Sequence, residues 1–250
     1  MKITSDNLFK YLILFTLLFS NQIFASDNSL SSFKGYVPYT LGNETDFATL
    51  YLAPELSDQI LKNNPQKKTY SHLSINSNNN IVNIQFDPGM SDDPTFIIKL
   101  NKAKEIFYID GDVIYMSTAG YIYSQNSSND YFERTIKYRI NKNKLEEVSQ
   151  PFYFVNLECK ASAALTLYSE QCNKGSKVAT LQKGAMVKIV LSEYKNNECN
   201  KVSDDENYPG SQIMQFLVAS PFGLVGWVSS IAGDLNREGK PLSCIRLAGD

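Results

Sequence analysis

The sequence has few of the residue types that most enzymes use for catalysis. Histidine occurs once, as His72, and no cysteine precedes Cys159. A Cys/His peptidase needs both groups in one site, and the half of the chain that holds the histidine has no cysteine. The Gly-x-Ser-x-Gly motif, the phosphate-binding loop and the dinucleotide fingerprint are also absent. We therefore predict that the protein is not an enzyme and has no catalytic residues.

Clustered carboxylates are the remaining candidates for acid/base chemistry. They occur as Asp92–Asp93, Asp110 with Asp112, Glu146–Glu147 and Asp204–Glu206. A glycosidase needs two carboxyl groups roughly 5 to 9 Å apart in a cleft, and the sequence brings no two clusters together. A hydrolase that uses such a pair is the weakest of the alternatives that we keep.

The sequence also lacks a strong excess of charge and a metal-ligand spacing. It has 24 Lys and Arg against 26 Asp and Glu, for a net charge of −2. Nucleic-acid binding usually needs a basic surface, and zinc sites usually need paired cysteines or histidines. We predict no nucleic-acid partner, no metal and no cofactor.

Residues 1–25 have the pattern of a secretory signal peptide. Lys2 and Lys10 bracket a basic start, Tyr11–Phe19 is an apolar run, and Ala25 is a small residue at a cleavage position. The run is short for a bilayer core of about 30 Å, which favours cleavage over retention as an anchor. We expect a periplasmic or extracellular protein with no stable membrane span after cleavage; an uncleaved anchor is the alternative.

All four cysteines lie in the C-terminal half of the chain, and an even number in an exported protein indicates two disulfides. They are Cys159, Cys172, Cys199 and Cys244. Three pairings are possible, and the sequence leaves the connectivity open. We expect the bridges to tie the polar insertion Asn196–Gly210 and the C-terminal tail to the unit formed by residues 155–250.

Residues 26–154 have the pattern of a mainly antiparallel β domain with one short helix. Phe33–Val37 is a first strand or extended arm, and Pro54–Leu61 is helical, with Leu56, Ile60 and Leu61 at helical spacing. Alternation predicts that six side chains of two strands point inward: Val82, Ile84, Phe86, Phe96, Ile98 and Leu100. Asp-Gly and Ala-Gly turns between the next short strands predict an antiparallel β-meander.

Tyrosines of this region allow two interpretations. Tyr108, Tyr115, Tyr121 and Tyr123 could form an exposed face that binds a sugar or peptide. Strands also favour aromatic residues, and cross-strand aromatic pairs stabilise sheets. The alternation favours packing over ligand binding.

The segment Gln150–Asn156 joins the two predicted domains without a flexible linker. Phe152 and Phe154 face opposite to Tyr153 and Val155 in an extended chain. An apolar join of this kind predicts that the two domains pack against each other.

Residues 155–250 predict a small five-stranded barrel. Three strands are Leu165–Tyr168, Lys177–Leu181 and Lys183–Leu191, and two more meet across the Pro-Phe-Gly turn within Phe216–Val228. Val187, Ile189 and Leu191 fall on one face of their strand. Gly226 has no side chain, which lets a neighbouring strand approach closely.

These pieces resemble the bacterial SH3-like (SH3b) family. The resemblance covers residues 165–228 and consists of Leu167-Tyr168, the valine-x-x-leucine-x-x-glycine step from Val178 to Gly184, and the closing Gly-Trp-Val at Trp227. It implies an SH3-like β-barrel whose groove binds an extended peptide or wall polymer. Tyr168, Phe222 and Trp227 match positions that line such a groove, although the tryptophan could instead plug the barrel.

The sequence thus predicts a mainly β, non-catalytic exported binding protein whose SH3-like domain recognises peptidoglycan or a protein partner in the cell envelope. The alternative from another class is an inhibitor or immunity-type protein that blocks a cell-wall-degrading enzyme. Both predict binding without turnover; they differ in whether the ligand is the polymer or the hydrolase.

Overall fold

The protein is mainly β in a computed structural model. The structure describes residues 33–43, 46–63, 69–89, 94–126, 132–193 and 212–232, with residues 242, 244 and 245. The predicted signal peptide, residues 1–25, and the insertion Asn196–Gly210 lie outside these ranges. No helix in the described part of the chain combines the length and apolar character needed to span a membrane.

The described residues contain seventeen strands and one helix. The helix α1 spans Pro54–Asn63. In chain order, the strands are β1 Val37–Gly42, β2 Phe47–Leu52, β3 Thr69–Tyr70, β4 His72–Ser77, β5 Asn80–Asp87, β6 Thr95–Leu100, β7 Phe107–Asp110, β8 Val113–Met116, β9 Tyr121–Asn126, β10 Arg134–Asn141, β11 Lys144–Glu147, β12 Tyr153–Lys160, β13 Leu165–Tyr168, β14 Lys177–Leu181, β15 Met186–Glu193, β16 Gln212–Ala219 and β17 Val225–Ala232.

The chain start in the described range is a turn followed by a strand. Phe33–Tyr36 belongs to an N-terminal unit of its own, and the residues from Val37 onward belong to a second unit. The Tyr36 amide donates to the Phe33 carbonyl at 3.0 Å, and the two rings pack edge to face with centroids 5.1 Å apart. The predicted strand or arm at Phe33–Val37 therefore begins only at Val37, because this turn precedes it.

The first sheet has seven strands in the order β11-β10-β9-β8-β2-β1-β3. Most neighbours are antiparallel, and the predicted meander is present from β8 through β9 and β10 to β11. Its predicted first strand, β7, is wrong for this sheet, because β7 pairs with β6 in another sheet and the Asp-Gly turn therefore joins two sheets. In addition, β2 pairs with β8 and β1 with β3 in parallel. Parallel neighbours need a long crossover, and the chain between β2 and β8 holds α1 and the whole second sheet. The sheet is therefore mixed, and its alternation alone did not reveal which strands become partners.

The second sheet is antiparallel, in the order β4-β5-β6-β7. The prediction that Val82, Ile84 and Phe86 of β5 point inward is confirmed, since all three are buried. Their cross-strand partners from β6 are also buried, namely Phe96, Ile98 and Leu100. Period-two alternation was sufficient here because one face of each strand meets the core and the other meets solvent.

Helix α1 packs through one stripe of side chains against β2 and β4. Leu56 and Ile60 are buried, one turn apart, and Ser57 is buried beside them. The Ser57 hydroxyl forms a hydrogen bond of 2.6 Å with the Tyr39 hydroxyl of β1. Leu61, predicted on the same face, is 40% exposed, because one residue of helix rotates its side chain by about 100° from Ile60.

The third sheet, here called the C-terminal sheet, has the order β12-β15-β16-β17-β13-β14. Five of its strands, β13 to β17, overlap the segments that the sequence predicted as strands, although β15 begins at Met186 rather than at Lys183. β12 joins β15 as a sixth strand. All six strands contribute side chains to one hydrophobic cluster, which is the core on one face of this sheet. Closure of the sheet into an SH3-like barrel stays a prediction.

A β-bulge changes the phase of β15. Val187 and Ile189 are buried as predicted, but Leu191 is only half-buried and is not in the core cluster. The register shifts between Ile189 and Leu191 against β16, so the side chains beyond the bulge change faces. Ser192 is buried instead of Leu191.

The C-terminal core takes side chains from the preceding sheet. Phe132 lies just before β10, and Ile136 lies within it. Both belong to the same cluster as Tyr153 and Val155 of β12. The faces predicted for the join are confirmed, because Tyr153 and Val155 are buried while Phe152 and Phe154 are exposed. The boundary predicted between residues 154 and 155 falls inside β12. The division into two domains stays a prediction.

A disulfide joins Cys159 of β12 to Cys244 in the tail, with their Cα atoms 5.4 Å apart and a sequence separation of 85. Beside it, Ala161 and Leu242 form an antiparallel bridge. The tail is therefore attached to the C-terminal sheet, as expected for one of the two bridges. Cys172 is also disulfide-bonded, and Cys199 lies outside the described residues.

We expect peptide mapping under non-reducing conditions to give Cys159 linked to Cys244. Of the three pairings that four cysteines allow, this one leaves Cys172 to pair with Cys199. Mass spectrometry of the digest before and after reduction measures both links. A Cys159–Cys172 peptide, or four free thiols, would contradict the arrangement.

Candidate functional site

Two of the three predicted ligand residues lie side by side in the C-terminal sheet. Tyr168 at the end of β13 is the register partner of Trp227 in β17. Both side chains are half-buried. Phe222 lies apart from them in the turn between β16 and β17, where it is 64% exposed. The structure therefore brings Tyr168 and Trp227 together and leaves Phe222 at the tip of the hairpin.

Tyr168 and Trp227 are on the face of the sheet opposite to its core. Their chain neighbours Leu167 and Val228 are in the core cluster, and successive side chains of a strand point to opposite faces. We call the face that carries Tyr168 and Trp227 the outer face. The alternative that Trp227 plugs the core is wrong for the observed sheet, since Val228 has that position.

A continuous row of apolar side chains crosses the outer face. Each member is directly opposite the next on the neighbouring strand: Phe154 of β12, Leu191 of β15, Leu217 of β16, Trp227 of β17 and Tyr168 of β13. Neighbouring strands are about 4.8 Å apart, so five strands give a strip about 19 Å long. We call these five residues the outer row. Its length suits an extended ligand.

Exposure changes along the outer row. Phe154 at one end is 64% exposed, whereas Leu217 in the middle is only 5% exposed. Phe152 approaches from the β12 side, and its ring centroid lies 5.8 Å from that of Trp227 at an interplanar angle of 38°. Sequence reasoning placed Phe152 on this side of the join but did not assign it to the site, because its contact with Trp227 depends on strand order.

A polar row lies next to the outer row. Glu193, Gln215 and Ser229 are opposite one another on β15, β16 and β17. Gln215 is completely buried, and its Oε1 accepts hydrogen bonds from the Cys172 amide at 2.9 Å and the Ser229 hydroxyl at 2.8 Å. Its Nε2 is buried without a hydrogen-bond partner. Burial also raises the pKa of the Glu193 carboxyl.

The turn between β13 and β14 is held against this polar row. Cys172 and Asn173 have left-handed backbone conformations, with φ of 62° and 54°. Such a conformation is uncommon for cysteine and costs about 1 kcal/mol or more. The turn is fixed by the disulfide of Cys172, by its bond to Gln215, and by the Ser229 amide, which donates to the Asn173 Oδ1 at 3.2 Å.

Gly226 allows β13 to approach β17 beside Trp227. A Cβ atom on Gly226 would lie 2.8 Å from the Leu167 Cβ and 2.9 Å from the Tyr168 carbonyl oxygen. Both distances are too short for a side chain. The predicted close approach at Gly226 is therefore present, and it places Tyr168 next to Trp227.

The four candidate tyrosines of the N-terminal half do not form one exposed face. Tyr108 is 65% exposed on β7 of the second sheet, whereas Tyr115 of the first sheet is 1% exposed. Tyr115 stacks on Tyr51, with ring centroids 4.7 Å apart. The Lys137 Nζ lies 4.1 Å from the ring centroid of Tyr121 and 5.6 Å from that of Tyr123. Cross-strand packing accounts for these contacts.

The described carboxylates do not gather into a metal site. Within the described ranges, no group of three or more His, Cys, Asp or Glu side chains could hold a metal ion. Glu146 accepts hydrogen bonds from Asn141 and Arg139, which lower the pKa of its carboxyl. Asp92–Asp93 and Asp204–Glu206 lie outside the described residues.

Comparison of the chain with protein-family models, with curated proteins and with solved structures gives no match. The resemblance of residues 165–228 to the SH3-like family stays a prediction from the residues quoted above.

Substitution Gly226→Ala is expected to lower the free energy of unfolding by about 1–3 kcal/mol, because the added methyl group meets backbone of β13. Urea denaturation measures the change. The matched control is Gly223→Asn, at a hairpin position with φ of 83° and no atom near the added Cβ. Equal effects of the two substitutions would show that the close approach at Gly226 does not matter.

The stability of the protein should fall above pH 10 in part because of Tyr115. Burial, then the charges of Tyr51 and Glu133, raise the pKa of Tyr115 from 10.0 to about 12. Across this interval the unfolded chain loses the proton while the folded chain keeps it, so the free energy of unfolding decreases as pH rises. Urea midpoints at about pH 8 and about pH 11 should differ less in Tyr115→Phe than in the unsubstituted protein. Parallel changes in both proteins would contradict the assignment.

Proposed function

We propose that this protein is a non-catalytic, exported binding protein of the cell envelope. It recognises peptidoglycan or an envelope protein through the outer face of its C-terminal sheet. The observation that carries the proposal is the outer row, in which Tyr168 and Trp227 are adjacent and Phe154 extends the apolar strip. Aromatic side chains at a partly exposed surface contribute large contact areas at low cost in conformational entropy.

Export is supported by two independent features. Residues 1–25 carry a basic start, an apolar run and a small residue at a cleavage position. Cys159 and Cys244 are joined as a disulfide, and disulfides persist in oxidising compartments such as the periplasm or the extracellular space. We assign the mature protein to one of these compartments.

The SH3-like resemblance supports a ligand of extended shape. It implies a groove lined by Tyr168, Phe222 and Trp227, and two of these are neighbours on the outer face. The strip formed by the outer row is about 19 Å long and one side chain wide. This shape suits a peptide or polymer chain better than a compact small molecule.

The second candidate is an inhibitor or immunity-type protein that blocks a cell-wall-degrading enzyme. The observation that favours it is the exposure of three apolar side chains in this part of the chain: Phe154 in the outer row, and Phe222 and Leu224 in the turn between β16 and β17. Exposed apolar patches of this kind often mark protein interfaces. In this candidate, the outer face contacts a folded hydrolase and ignores the polymer.

Two binding measurements separate the candidates. Sedimentation with purified sacculi at low salt measures retention on the polymer, and size-exclusion chromatography with a wall hydrolase measures a stoichiometric complex. The double substitution Tyr168→Ala/Trp227→Ala is expected to weaken whichever interaction occurs by about tenfold or more, since aromatic residues often dominate binding.

Tyr108→Ala is the control, because it removes an aromatic side chain that is 65% exposed on another sheet. It should leave retention and complex formation unchanged. Equal losses in both variants, or release of soluble fragments from the sacculi, would contradict the proposal; fragment release would favour the hydrolase alternative.

A further inference from the structure

Two neighbours of Trp227 stand out, Phe152 and Gln215. The first contacts the Trp227 ring, and the second has a side-chain donor, Nε2, without a hydrogen-bond partner. The Phe152 ring meets the ring of Trp227 with centroids 5.8 Å apart. Gln215 pairs with Ser229, two residues from Trp227 along β17, which makes Gln215 a diagonal neighbour of Trp227. The Gln215 Nε2 is buried and has no partner, while its Oε1 accepts two hydrogen bonds.

The residues on both sides of Phe152 are held in place, so the movement that separates its ring from Trp227 is a rotation of the Phe152 side chain. Before it in the chain, Gln150 donates from Nε2 to the Thr135 carbonyl at 3.0 Å. After it, Tyr153 is buried in the core and carries the Arg134 guanidinium 5.4 Å from its ring centroid. The Phe152 side chain itself remains 39% exposed. Rotations of exposed side chains need no rearrangement of the sheet.

We propose that Phe152 is an intramolecular cap on Trp227, and that an aromatic side chain from an extended segment of a partner protein replaces it. A backbone carbonyl of that segment accepts the hydrogen bond that the Gln215 Nε2 does not make in the free protein. This inference rests on the proposed function, because it takes the outer face as the binding face and names the ligand that the face selects.

A peptide fits the chemistry of this surface better than a sugar. On the β13 side, Trp227 is next to Tyr168, the one member of the outer row with a hydroxyl group. The phenyl ring of Phe152 lies beside Trp227, and on the β16 side the next members of the row are Leu217 and Leu191, whose side chains offer no hydrogen bonds. Hydroxyl groups of a sugar would lose their water there without gaining partners. A peptide supplies an aromatic side chain for Trp227 and a carbonyl oxygen for Gln215 within one residue.

The cap competes with the ligand, so its removal should strengthen binding. When only a fraction of the protein is open, the apparent dissociation constant is raised by the inverse of that fraction. An aromatic pair changes an equilibrium constant by about 2- to 12-fold. We expect Phe152→Ala to bind an aromatic peptide tighter than the unsubstituted protein by about this factor.

Trp227 is the only tryptophan, so its fluorescence reports on the site directly. The probes are a capped peptide of glycines with one phenylalanine, the same peptide with alanine in that place, and an oligomer of N-acetylglucosamine. Without any probe, the emission of Phe152→Ala should shift to longer wavelength because Trp227 loses its cover. Titration should then show binding of the phenylalanine peptide, and much weaker binding of the other two.

Gln215→Glu tests the donor while keeping the acceptor. The new carboxylate still accepts from the Cys172 amide and the Ser229 hydroxyl, but it has no hydrogen to donate. Binding of the phenylalanine peptide should weaken by about 5- to 100-fold near neutral pH. Relative to the unsubstituted protein at the same pH, in which Glu193 opposite Gln215 also becomes protonated, binding should partly recover when acid protonates the introduced carboxyl and restores a donor, which a merely structural role of Gln215 would not produce. Phe47→Ala, an exposed aromatic position of the first sheet, is the control and should bind as the unsubstituted protein does.

Each outcome decides between the cap and the broader proposal. Equal affinity of Phe152→Ala and the unsubstituted protein for the phenylalanine peptide would overturn the cap. Equal binding of the alanine peptide, or tighter binding of the sugar oligomer, would overturn the aromatic peptide ligand. In both cases the proposed function still stands if Tyr168→Ala/Trp227→Ala reduces retention on sacculi or complex formation with the hydrolase. If Tyr168→Ala/Trp227→Ala weakens neither interaction, the proposed function is overturned as well.

Discussion

The burial of β16 on both of its faces is the constraint on which the C-terminal half depends. Met214, Phe216 and Val218 lie in the core cluster, while Gln215 and Leu217 point to the outer face and are also buried. A strand in this position needs cover on its outer side as well as its inner side. The residues next to Leu217 on that side, Leu191 and Trp227, are half-buried against it, which explains why the middle of the outer row is apolar.

The covalent and hydrogen-bonded links of this half hold its periphery on the same central strand. The β13–β14 turn is bonded to Gln215 through Cys172 and to β17 through Asn173. On the other side, Cys159 links β12 to the tail. These links constrain loops whose own side chains bury little apolar area. Without them, the left-handed backbone of Cys172 would have no compensation.

The sequence predicted the faces of strands better than their partners. In β5 and β6, alternation was enough, because one face is buried and the other is wet. Alternation could not predict the parallel pairing of β2 with β8, because the crossover between them contains the whole second sheet. It also could not predict the β-bulge that places Leu191 on the outer face. Both depend on which distant strands pair, and local sequence patterns carry no information about that pairing.

The candidate site divides in the same way. Trp227 and Tyr168 were predicted from a local motif, and Gly226 from its lack of a side chain. Phe152 and Leu217 belong to the site only because of strand order and register. One signal was present for Gln215: it is the only polar residue between Met214 and Val218. An otherwise apolar run of this kind indicates burial on both faces, so its single polar member needs hydrogen-bond partners.

The unsatisfied amide of Gln215 is the strongest physical argument that the outer face has a binding role. A buried donor without a partner costs about 1–3 kcal/mol, which a leucine of similar size would avoid. That cost falls in the same place as the left-handed Cys172 and the exposed ring of Phe152. Packing alone favours none of these three features. A ligand that brings an acceptor to Gln215 would remove the cost of its unsatisfied amide. An aromatic ring of the same ligand would replace Phe152 in the contact with Trp227.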